Sequence, residues 1–149
     1  MEADELKDAE APAIRPADVA DLEQVFALAM EFATSFRPNM EAFRGSFRRI
    51  LEHPNALLLV AVESGLIKGY LLGFDHEALF ANGLVAWIEE LIVDQKRRRN
   101  RIGTRLVERF EDWARSRGSK LVALGTRRAD SFYRAIGYEE SATYYRKLL

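Results

Sequence analysis

The sequence contains no cysteine, which excludes a disulfide scaffold, thiolate catalysis and any cysteine-ligated metal centre. Such a chain suits a reducing, cytoplasmic compartment. Histidine is scarce as well: His53 and His76 are the only two, neither has a carboxylate at the spacing that metal sites use, and no metal is expected. No run reaches the roughly 20 apolar residues of a membrane span. The opening MEADELKDAEAPA is acidic and lacks an apolar core, so the chain reads as neither inserted in a membrane nor exported. A charge of one sign is missing too, since 22 Lys and Arg against 23 Asp and Glu leave a formal net charge of −1. An overall cationic surface of the kind that grips nucleic acid is therefore not expected. What the chain does have is 149 residues of which 48% are hydrophobic, enough for one compact domain with a real core. Residues 1–12 are expected to form a mobile tail and residues 13–149 the single domain.

The hydrophobic pattern changes period along the chain. Ile14 to Pro16 suits a first strand. Asp18 then suits the N-cap of a helix that carries Val19, Leu22, Val25, Phe26 and Ala29 on one side. A second, shorter helix follows Pro38, with Phe43, Phe47, Ile50 and Leu51 at helical spacing. The runs ALLLVAVES and GLIKGYLLGFD, joined at Ser64 and Gly65, read as a β-hairpin. After a loop HEALFANG, the run GLVAWIEELIVD gives a third strand, and these three are too apolar to lie at a sheet edge. Ile102 to Arg117 makes a helix with Ile102, Leu106, Phe110 and Trp113 on one face and Gly118 at its end. KLVALGT reads as a buried strand, so strand, helix and strand imply a parallel crossover. RADSFYRAIGY is a short helix closed by Gly137, and EESATYYRKLL is expected to add a last strand. The fold class is α+β, a mixed and mostly antiparallel sheet with helices on both faces.

Within VDQKRRRNRIGTRL, five basic residues fall in the six positions from Lys96 to Arg101. A strand ending near Asp94 and a helix starting near Ile102 present unpaired N–H groups where the helix dipole favours an anion. Arg98, Arg99 and Arg101 could add charge on a pyrophosphate, while Gly103 and Thr104 leave the backbone open. An exposed, solvated basic loop is the plain alternative, and the run alone does not choose between them.

The order IEELIVDQKRRRNRIGTRLVERFEDWARSRG, KLVALGT, ADSFYRAIGYEES resembles the core of the GNAT N-acetyltransferase superfamily over residues 88–149. The resemblance implies a sheet with a central splayed strand pair, acetyl-CoA as co-substrate, and direct transfer of the acetyl group to a primary amine in a ternary complex. The family's loop pattern Q/RxxGxG/A falls on Arg98, Arg99, Asn100, Arg101, Ile102 and Gly103, with Arg101 in place of the first glycine. An arginine held there at positive φ would carry strain. The backbone of Leu91, Ile92 and Val93 is implied to bind the pantetheine arm as an added strand, with an N–H near Val93 polarising the thioester carbonyl. Tyr133 is implied to protonate the departing thiolate. Glu89 and Glu90 lie beside the splay as candidate bases for the amine; strand alternation sends their side chains to opposite faces unless a bulge intervenes.

The acceptor is expected between the segments Glu31 to Asn39 and Asp75 to Gly83, which carry Phe32, Phe36, Phe74, His76 and Phe80 without a recognisable motif. A small-molecule or peptide amine fits that description. Two other readings remain: a non-catalytic acyl-CoA-binding or interaction domain of the same fold, and a nucleic-acid-binding domain acting through residues 96–101. An exposed terminal strand would also allow two copies to pair as a homodimer.

Overall fold

Ser64 and Gly65 both adopt positive φ, 52° and 76°, the conformation a two-residue hairpin turn needs to match strand twist. The turn joins β2 (Ala56–Glu63) to β3 (Leu66–Ala78), the central pair of a five-stranded sheet in the computed structural model, which describes residues 11–97 and 101–149. The other strands are β1 (Ala13–Pro16), β4 (Gly83–Val93) and β5 (Val122–Leu124), and the sheet runs in chain order. Neighbours are antiparallel except β4 and β5, which are parallel across a helical crossover.

Among the described residues four helices cover the sheet: α1 (Leu22–Glu31), α2 (Met40–Glu52), α3 (Ile102–Ser116) and α4 (Asp130–Ala135). Strand alternation divides the core in two. Leu58, Val60, Tyr70 and Leu72 turn towards Val25, Leu28 and Phe47 of α1 and α2. Leu59, Ala61, Leu71 and Ile88 turn towards Ile102, Leu106 and Phe110 of α3 and Tyr133 of α4. Asp18 caps the first helical turn as the sequence suggests, accepting from the Ala20 N–H at 2.9 Å. The Asp21 carboxylate accepts from the Asp18 N–H and from both terminal nitrogens of Arg15. The Arg15 bonds hold the Asp21 carboxyl below its ordinary range, despite the cost of burial.

Three expectations change. His76, Glu77 and Ala78 belong to β3, so the loop before β4 shrinks to a 3₁₀ turn at Leu79–Ala81 and Asn82. Residues 139–149 form no strand, because Tyr144 and Arg146 are drawn onto side chains of the other elements (Trp87 and Ser35) instead of pairing with β5; β5 is the edge, and the terminal strand on which pairing of two copies was expected is not there. Of the expected tail, residues 1–10 lie outside the described residues, while Pro12 is buried and its carbonyl accepts from Arg105 of α3.

At the far end of α3, Arg117 bonds both oxygens of Asp75 while Asn55 donates to Oδ1 at 2.7 Å. The Asp75 side chain is fully buried. Its desolvation alone would raise the carboxyl, but the bonds from Arg117 and Asn55 outweigh that and hold it low. Near its middle, α3 crosses β3 closely: a Cβ on Gly73 would fall 2.3 Å from the Phe110 ring and 3.0 Å from the Trp87 carbonyl oxygen. Gly73→Ala therefore forces Phe110 out of place and is expected to destabilise the fold by about 1–3 kcal/mol. Urea unfolding checks this: the midpoint should fall while the slope stays constant.

Candidate active site

The sheet opens where β4 loses its second neighbour. Ala86, Trp87 and Ile88 pair with Val122, Ala123 and Leu124, and there the parallel ladder ends. On its other side β4 stays paired with β3 up to Val93, but the register jumps: Gly73 faces Ile88 while Leu72 faces Glu90. Glu89 is the extra residue of a β-bulge. Beyond it, the edge of Glu90, Leu91, Ile92 and Val93 that faces away from β3 has no strand partner among the described residues. The result is an open edge on β4 past the point where β5 ends.

The bulge also decides the two glutamates. Both line one cleft of about 410 Å³ on the face covered by α1 and α2. This corrects the expectation from alternation, because one inserted residue resets the side-chain parity of the strand. Glu89 accepts from the Trp87 indole N–H at 3.0 Å, and Glu90 accepts from the Tyr70 hydroxyl at 2.9 Å. Burial lifts the Glu90 carboxyl above its ordinary range and the Glu89 charge lifts it further, while the Tyr70 bond works against both. Burial and the Glu90 charge in turn push the Tyr70 hydroxyl up, so it stays a donor.

Thr34, Ser35 and Phe36, in the connection between α1 and α2, form one wall of the cleft. Arg127, Tyr144 and Arg146 form another. Tyr144 stacks on Trp87 with ring centres 6.3 Å apart and covers Gly125, while Arg146 donates to the Ser35 hydroxyl at 2.7 Å. Of the two segments expected around an acceptor, only the first contributes. Asp75 to Gly83 runs away from the bulge along β3 and ends at Gly83, six residues and roughly 20 Å along β4 from Glu89. Asp75, opposite Ala86, serves the Arg117 pair; Phe74, opposite Trp87, packs on His53; Phe80 is exposed. Trp87, Arg127 and Arg146 are the residues that sequence reasoning missed. Only the position of Arg127, just past the strand KLVALGT, could have pointed to it.

On the opposite face a groove of about 340 Å³ runs between α3 and α4, bordered by Arg101, Thr104, Val107, Glu108 and Ile136. Arg98, Arg99 and Asn100 lie outside the described residues. Arg101 is the N-cap of α3 in the left-handed conformation, φ 59° and ψ 16°, and its side chain reaches 4.0 Å from Glu108. Holding a non-glycine residue there costs on the order of 1 kcal/mol or more. Among the described residues no side chain caps the helix and no acidic residue sits in its first turn. Its leading N–H groups thus have no side-chain competitor there, as an anion site requires. Ile102 is fully buried. Gly103 is less open than expected: Phe132 of α4 occupies the space in front of it, 3.2 Å from where a Cβ would stand, so the glycine serves helix packing.

Tyr133 is buried in the α3 and α4 half of the core, edge-on to Phe132 and Tyr138. Burial pushes its hydroxyl up to about 12, so it holds its proton at neutral pH. Tyr138 instead donates to Glu111 at 2.8 Å and braces α4 against α3.

The family model described as "Acetyltransferase (GNAT) family" matches residues 22–138. The chain belongs to the GNAT acetyltransferases. Two relatives carry more specific activities. The aminoalkylphosphonate N-acetyltransferase of Salmonella typhimurium is 30% identical over 140 residues, 91% of this chain and 90% of that protein. The glucosamine 6-phosphate N-acetyltransferase 1 of rice, Oryza sativa subsp. japonica, is 30% identical over 139 residues, 89% of this chain and 84% of that one. Among solved structures, a transcriptional regulator from Bacillus halodurans C-125 superposes with a TM-score of 0.84 at 25% identity, covering 93% of this chain and 99% of that one. The fold is thus shared along nearly the whole chain.

The elevated Glu90 carboxyl has a consequence for stability. Between the ordinary glutamate range and its raised native value, the folded protein binds more protons than the unfolded chain, so this group's contribution falls as pH rises through that window. Glu90→Gln should therefore melt no lower than the parent at pH 7 to 8, with its advantage shrinking towards pH 4. Thermal melts of both proteins across that range check the sign.

Proposed function

We propose that the protein transfers an acetyl group from acetyl-CoA to the primary amine of a small acceptor, by direct attack within a ternary complex. The observation that carries this reading is the open edge of β4 beyond Ile88. The two-glutamate cleft lies at its bulge on the α1 and α2 face, and the helices that border the other groove, α3 and α4, cover the opposite face, so two substrates can approach β4 from opposite sides.

When bound, acetyl-CoA supplies a thioester whose acetyl carbon accepts the amine and whose sulfur departs. The chain's own groups divide the remaining work. The N–H groups of Ile102, Gly103 and Thr104, with Arg101 and the neighbouring Arg98, Arg99 and Asn100, hold the pyrophosphate at the start of α3. The unpaired edge of Leu91, Ile92 and Val93 holds the pantetheine amides as a strand would. A backbone N–H of that edge donates to the thioester carbonyl as negative charge builds on its oxygen. An alkylammonium, with a reference pKa near about 10.4, must shed a proton before it attacks. Glu90 is the better placed base, since its raised carboxyl makes it a stronger proton acceptor than an ordinary glutamate, and Glu89 steadies the ammonium before transfer. Tyr133 keeps its proton until the sulfur needs it, then donates it to the thiolate.

CoA is expected to raise the melting temperature, because it binds only the folded chain. Tyr133→Phe keeps the ring and the packing. It should leave that shift intact while turnover on the best amine falls by about 10² to 10⁴, less if the thiolate leaves unaided. Steady-state acetylation against pH should show Glu90→Gln losing least at high pH, where the amine is already neutral. A CoA shift without turnover on any amine would favour the non-catalytic CoA-binding domain instead.

A further inference from the structure

The acceptor cleft carries charge of both signs, and the two signs come from different elements. Glu89 and Glu90 sit at the bulge of β4, in the floor of the cleft. Arg127 follows β5, and Arg146 lies in the segment after α4. Opposed charges lining one cleft would normally neutralise each other. Here they do not: among the described residues neither arginine pairs with a carboxylate, and neither glutamate pairs with a cation. The glutamates are occupied by neutral donors, Trp87 and Tyr70, and Arg146 by the neutral Ser35 hydroxyl. Arg127 makes no hydrogen bond to any described residue. Two guanidinium groups left without anions beside a cleft that admits a small molecule constitute a recognition element.

We infer that the acceptor is a small zwitterion, a primary amine carrying a phosphate or phosphonate at its far end, with the amine at Glu89 and Glu90 and the oxyanion between Arg127 and Arg146. This inference rests on the acetyltransferase reading for its chemistry, but its geometry stands on the cleft alone. The two relatives act, by name, on an aminoalkylphosphonate and on glucosamine 6-phosphate. Both molecules contain that pair of groups. A planar, bidentate guanidinium suits a tetrahedral oxyanion better than a lysine would, and the ammonium end finds carboxylates where the acetyl group arrives. The Ser35 hydroxyl that accepts from Arg146 is neutral and leaves its charge available to an anion.

Matched acceptors test the charge requirement: glucosamine 6-phosphate against glucosamine, and 2-aminoethylphosphonate against ethanolamine. In at least one pair the parent should prefer the anionic member by about tenfold or more in kcat/KM, the effect of one charge-assisted hydrogen bond in a partly solvated cleft. Arg127→Gln and Arg146→Gln should each cut that ratio several-fold, mainly through KM, and the double variant should bring it to within about twofold of unity. Arg146→Lys should restore part of it. Ser35→Ala, which loses the 2.7 Å bond but keeps the charge, should retain most of it. Titration calorimetry of the same four compounds in the presence of CoA separates the two claims. Anionic amines that bind in an arginine-dependent way, yet are not acetylated, would uphold the inference and sink the acetyltransferase reading. Acetylation at equal efficiency with and without the anion, unmoved by the arginine variants, would overturn the inference and leave that reading in place. Equal or absent binding of both members in both pairs would overturn the inference as well.

Discussion

One extra residue in one strand governs this molecule. β4 cannot follow β3 and β5 at once, because the inserted Glu89 shifts its register against β3 just where its parallel ladder with β5 ends. The peptide edge of β4 beyond it is left without a strand neighbour among the described residues, a gap in the hydrogen-bonded ladder. The bulge also resets the side-chain parity. Without it, Glu90 would point into the apolar half of the core that holds Ile88, and one carboxylate would face away from the cleft.

The surrounding architecture is arranged to keep that gap in place. α3 is anchored at both ends: Arg105 reaches the Pro12 carbonyl near its start, and Arg117 clamps the buried Asp75 at its finish. Between them, Gly73 admits Phe110 so closely that helix and strand cannot slide past each other. The start of α3 is thereby fixed relative to the sheet. Arg101 shows the cost of this placement. It occupies a backbone conformation that glycine adopts freely, and gains in return a cationic side chain at the mouth of the groove.

Much of this was legible from residue order. Ser64 and Gly65 announce their hairpin, Asp18 its cap, and the apolar stripe from Ile102 to Phe110 its helix, because each signal is local and each element satisfies it locally. The positive φ at Arg101 follows from a motif position that the backbone geometry fixes regardless of the side chain. Two features were illegible for one reason: they depend on partners far away in the chain. The bulge at Glu89 exists only relative to β3, so the sequence EELIV reads as an uninterrupted strand. Residues 139–149 alternate well enough to be a strand, but Trp87 and Ser35, distant in sequence, draw Tyr144 and Arg146 out of any ladder. Arg127 and Arg146 were overlooked because an exposed arginine is ordinary until its surroundings show that nothing neutralises it.

The wall formed by residues 139–149 differs in kind from the floor it faces. The floor is part of the sheet, and a change there disturbs both halves of the core. The wall rests on the stacking of Tyr144 against Trp87 and Gly125 and on the bond from Arg146 to Ser35, with no strand pairing beneath it. Substitutions in that segment therefore meet little resistance from folding. Over evolutionary time such a wall can be rewritten at a few surface positions while the sheet beneath it stays untouched.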